Sequence, residues 1–114
     1  ESALIVYNIG LIYHHYGSLS YLIKALCLFD MAFSLAFSTG HDSRSHIIAM
    51  SSLNNAGQIH HSLSNYAISR KYMDALSSYA LSLPSTSNEA TRKERHHFLL
   101  NAKMLREPKI AGAA

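Results

Sequence analysis

Large apolar residues recur along most of this chain at three- and four-residue spacings, the mark of helices with one buried face. Val6, Ile9, Gly10 and Tyr13 fall at i, i+3, i+4 and i+7 and predict a first helix over 3–16, closed by Gly17. Ser18 or Ser20 then caps a second helix over 21–38, the most apolar segment of the chain. Residues 39–45 read as a polar loop in which Gly40 ends one helix and Asp42 or Ser43 starts the next. A third helix over 44–63 carries Ile48, Leu53, Ala56, Gly57 and His60 on its apolar face. Asn65 opens a fourth over about 66–82, and Pro84 with the polar run 85–88 breaks it. A fifth over about 89–106 turns Phe98, Leu99, Ala102 and Leu105 inward and is the most charged, as a terminal cap must be. The tail 107–114 is expected to fray. The fold class is therefore all-α, with about five helices.

The pattern also echoes itself. Val6-Tyr7-Asn8-Ile9-Gly10-Leu11-Ile12-Tyr13 returns 47 residues later as Leu53-Asn54-Asn55-Ala56-Gly57-Gln58-Ile59-His60. A fixed-period echo signals stacked repeats. A glycine on the apolar face weakens a helix by about 1 kcal/mol, and it suits a place where a neighbouring helix comes close.

These two stretches resemble the tetratricopeptide (TPR) pattern, with Ala25, Phe29 and Ala32 continuing the first copy. Ser69, Met73 and Leu76 continue the second, and the first differs by three extra residues in the turn around Gly17. The resemblance implies one domain, 1–114, built as a right-handed α-solenoid of antiparallel helix pairs. It places repeat 1 at about 3–38, repeat 2 at about 44–83 and a capping helix at about 89–106, within a longer array.

It also implies a function. In such domains the first helix of each repeat lines an inner groove, and an Asn two before the signature Gly contacts an extended peptide. Asn8 and Asn55 occupy that place, and Asn101 continues the row 46 residues beyond Asn55. An amide both donates and accepts, which suits a peptide backbone. By the same register Tyr7, Leu11, His14, Asn54, Gln58 and His61 line the groove. The Lys and Arg that carboxylate clamps add beside such Asn residues are not in this set, which argues against an acidic C-terminus as ligand. The alternative is that each Asn only spaces the packing of the first helices.

Composition narrows the remaining classes. With 48% apolar and 15% charged residues the chain is globular rather than disordered. Net charge is +3, but 92–109 alone holds six basic residues against Glu94 and Glu107. That stretch makes a basic module for nucleic acid the alternative function, set against a solvated capping face. The apolar run 21–38 is long enough to suggest a membrane span. Lys24 and Asp30 interrupt it, and a charge at the bilayer centre costs about 2.5–3.5 kcal/mol. A packed helix is the better reading. The chain opens on Glu1 with no basic, apolar leader, and its single Cys27 fits a reducing, intracellular (cytoplasmic) setting.

Three histidine pairs, His14-His15, His60-His61 and His96-His97, raise a metal site. Neighbours on a helix point about 100° apart, so a pair cannot chelate alone. Cys27 lies in the most apolar segment, which predicts an inert thiol. No serine sits in a nucleophile elbow, and no glycine-rich phosphate loop is present. The expectation is a non-catalytic scaffold without cofactor or metal that binds a protein or peptide partner.

Overall fold

The computed structural model describes residues 2–40, 42–84 and 89–106. Among them are five α-helices and no strand: α1 Ser2–Tyr16, α2 Leu19–Thr39, α3 Ser43–Ser62, α4 Tyr66–Ser82 and α5 Glu89–Arg106. All five expected helices are present. At the linker between α2 and α3 the helix bounds fall within one residue of those expected: α2 runs on to Thr39, and α3 starts at Ser43. Local hydrogen bonds account for both ends. Ser38 and Thr39 hydroxyls donate back to the Leu35 carbonyl and prolong α2. The Asp42 carboxylate, one of the two expected caps, accepts from the Ser45 amide at 2.9 Å and caps α3. The polar run 85–88 and the tail 107–114 lie outside the described residues.

The two short turns inside the helix pairs share one backbone device. Gly17 after α1 has φ +76° and Ser64 after α3 has φ +63°. These residues stand 47 apart, at the same place in each copy of the pattern. A left-handed residue lets the chain reverse directly behind a helix end.

Consecutive helices pack on one another in chain order. In addition α3 lies beside α5 and touches α1 over a short stretch. The three odd-numbered helices are thus neighbours, with α2 wedged against α1 and α3, and α4 against α3 and α5. The buried core follows this order. Ala25 and Phe29 of α2 close on Ala56 and Ile59 of α3. Ala32 and Ala36 close on Ile48 and Ala49. Met50 and Leu53 meet Met73, Leu76 and Ala80 of α4, with Phe98 and Ala102 of α5 behind them.

Both echo glycines mark close approaches. A Cβ on Gly10 would lie 2.9 Å from the Phe29 ring, and one on Gly57 would lie 3.2 Å from Tyr72 Cβ and run into the Met73 thioether. Phe29 and Met73 are the matching residues of the two second helices, so each pair of helices meets at the same point.

α2 is long and apolar enough, by length and composition, to cross a membrane. Its Ala25, Phe29, Ala32 and Ala36 stripe is fully buried in the helix packing. Both of its charges have neighbours. The Lys24 ammonium lies 5.7 Å from the Tyr13 ring and 5.6 Å from the Tyr21 ring. The Asp30 carboxylate accepts from the Tyr72 hydroxyl of α4 at 2.8 Å.

Candidate peptide-binding face

The nine residues expected to line a groove fall into three groups. The first forms the seams between the odd-numbered helices. The Asn55 amide of α3 donates to the Tyr7 hydroxyl of α1 at 3.0 Å. The Asn101 amide of α5 donates to the Asn54 carbonyl oxygen of α3. Asn55, Asn101 and Tyr7 are half-buried and Asn54 is buried. These side chains are spent, at least in part, on holding first helices together.

The second group is open to a ligand. Asn8 and Leu11 are exposed on α1, and Gln58 is half-exposed on α3. The third group turns towards the second helices. His14 meets the Phe29 ring edge-on at 6.1 Å, and burial holds its pKa below the usual histidine value. His61 packs edge-on against Tyr66 at 5.0 Å.

Where α1 and α3 diverge they leave a cleft of about 430 Å³. Leu4 and Tyr7 form one wall, and Arg44, Ile47, Ile48 and Ser51 form the other. Leu4 and Ser51 are matching residues, each four before an echo Asn. Four apolar or aromatic side chains with one guanidinium and one hydroxyl make a seat for an apolar side chain beside a polar backbone. Arg44 and Ile47 had not been legible as part of this face. Arg44 stands where the expected loop and the expected third helix overlap, and its place in the first turn of α3 brings it to the cleft.

A second depression, of about 380 Å³, lies among the ends of α2, α3 and α4. At its side His46 Nδ1 and the Tyr79 hydroxyl are 2.8 Å apart, and burial pushes the Tyr79 pKa up. A third polar cluster joins α2, α3 and α4 at the Asp30–Tyr72 bond. His60 stacks on Tyr72 at 5.4 Å. Burial lowers the His60 pKa while Asp30 opposes that shift. Tyr72 is pushed well above the ordinary tyrosine value, first by burial and then by its bond to Asp30. His60 thus fills the aromatic place that Tyr13 holds in the first copy.

Among the described residues, no three His, Cys, Asp or Glu side chains gather as a metal-binding group. Cys27, expected to be shielded by its apolar segment, is exposed on α2. On α5, Lys93 pairs with Glu89 at 3.8 Å, Arg106 pairs with Asp74 at 3.4 Å, and Arg95 donates to the Leu83 carbonyl at 3.5 Å. No family model, curated protein or solved structure matches this chain.

Proposed function

We propose that this chain is a TPR-like helical-repeat scaffold, a short right-handed solenoid without catalytic activity, that binds an extended peptide segment of a partner protein. The peptide lies across α1, α3 and α5, with an apolar side chain in the Leu4–Ile47 cleft. The observation that carries the reading is the recurrence of one seam bond, Asn55 to Tyr7 and Asn101 to Asn54, at matching places. The glycine contacts to Phe29 and Met73 recur with it. A surface made by neighbouring first helices, with a cleft and free polar groups beside it, suits backbone recognition. Gln58 and Asn8, rather than Asn55 and Asn101, have amides left to offer a ligand. The basic face of α5 supports the nucleic-acid alternative less well, because three of its cations already have protein partners.

Selection of random peptides displayed on phage tests this reading. The expected result is an enriched motif with an apolar anchor. Its binding weakens by about tenfold or more when Ile47 becomes Glu, at an unchanged melting temperature. No enrichment, or a motif indifferent to Ile47→Glu, would overturn it.

A further inference from the structure

α1 carries an apolar stripe that stays largely exposed. Among the described residues outside α1, its one ring contact is that of Tyr16 with Tyr21, at 5.3 Å. Ile5 is 60% exposed, Ile9 40%, Ile12 55% and Tyr16 66%, all along one side of the helix. The 47-residue period carries these positions onto Ser52, Ala56 and Ile59 of α3 and onto Leu63, its C-cap. There Ser52 is 1% exposed, Ala56 and Ile59 are 0%, and Leu63 is half-buried. Ala56, Ile59 and Leu63 pack in one cluster with Ala25, Phe29, Leu22 and Leu26 of α2. The relation recurs once more. Phe98, Ala102 and Leu105 of α5 follow Ser52, Ala56 and Ile59 by 46 residues and pack on Met73, Leu76 and Ala80 of α4. In both cases the side in question is covered by the second helix of the preceding pair.

The seam gives a parallel sign. Asn55 and Asn101 each reach back to the first helix before them. Asn8, at the same position in α1, is exposed.

We propose that the Ile5–Ile9–Ile12–Tyr16 side of α1 is a docking site for a helix of the α2 kind. The occupant is an apolar helix with Ala and Phe at α2's buried spacing, presented as the second helix of a preceding pair in the same array. A second copy of this chain fits less well. The corresponding stripes of α2 and α4 are already buried, and the outer side of α5 exposes Arg92, Lys93 and Lys103. The proposal rests on the repeat reading but not on the peptide cleft.

The test places a copy of residues 1–47 directly ahead of the chain, which preserves the period. Ile12→Ala is then compared in the parent and the extended chain, with Ile59→Ala in the parent as the standard. The extended chain is expected to unfold in one transition, at a higher temperature than the parent. Ile12→Ala should hardly move the parent's midpoint, yet lower that of the extended chain as much as Ile59→Ala lowers the parent's. An equally mild effect in both chains, or two separate transitions, would overturn the proposal. So would a parent that self-associates in sedimentation and is dispersed by Ile12→Glu, or one that co-sediments with phosphatidylcholine vesicles. If the extended chain aggregates, a synthetic peptide of residues 18–40 serves in trans. It should bind the parent but not an Ile9→Glu, Ile12→Glu variant, and failure to bind the parent counts against the site. Because Ile47→Glu does not touch this side of α1, the cleft and the docking site fail separately.

Discussion

The Asn55 side chain on α3 donates to the Tyr7 hydroxyl on α1 across 3.0 Å. Tyr7 directly precedes Asn8, as Asn54 directly precedes Asn55, and Asn54 in turn accepts from Asn101. One bond between matching places thus ties the odd-numbered helices together twice. A double-mutant cycle with Tyr7→Phe and Asn55→Ala is expected to give a coupling of about 0.5–1.5 kcal/mol, the net worth of one partly buried hydrogen bond. Additive losses in urea unfolding would show that the seam contributes no bond.

Gly10→Leu and Gly57→Leu should each lower stability by about 1–3 kcal/mol through overpacking. The gain in helix propensity, about 1 kcal/mol, does not offset this. Gly10 should be the more sensitive site. Its new side chain meets the Phe29 ring, which is fully buried between Tyr7 and His14, whereas Gly57 first meets the flexible end of Met73. Thermal unfolding gives the order, and a Gly10→Leu variant as stable as its parent would contradict the close approach.

Ser64→Gly should stabilise the chain by about 0.5–1 kcal/mol, since φ +63° is strained for serine and free for glycine. Gly17→Ala should cost a similar amount at φ +76°. Melting temperatures that shift in the same direction for both variants would refute the shared turn.

Much of this was legible in the sequence because it depends on neighbours in the chain. Gly17, Asp42, Asn65 and Pro84 punctuate the helices with local chemistry, and the five helices follow. Around the linker the same local chemistry sets the exact ends, through the Asp42 capping bond and the Ser38 and Thr39 bonds back to Leu35. The face residues were harder. Register placed Tyr7, Asn54, Asn55 and Asn101 near one another, but it carries no information on the gap between two helices. That gap decides whether an amide meets a ligand or the next helix. Ser64 showed no signal either, since serine rarely adopts a left-handed backbone.

Acid should destabilise the fold through two histidines. Burial lowers the pKa of His14, and of His60 despite the opposing pull of Asp30. The folded chain therefore binds these protons less readily than the unfolded one. Stability is full above the ordinary histidine value of 6.5 and falls as pH drops below it. Asp42, whose pKa is lowered by the Ser45 amide, acts the same way at lower pH. Melting curves from about pH 7.5 to about pH 5 should show the histidine window, and His14→Phe should flatten it. A slope unchanged by His14→Phe and His60→Phe together would contradict this assignment.

In the proposed function a partner peptide lies across α1, α3 and α5. Mapping amide chemical shifts while a selected peptide is titrated into the labelled chain tests it most directly. The expected result is that the largest shifts fall on Leu4, Leu11, Ile47, Ser51 and Gln58. Shifts concentrated on Arg92, Lys93 and Lys103 of α5, or on Ile68 and Leu81 of α4, with those five unmoved, would contradict it.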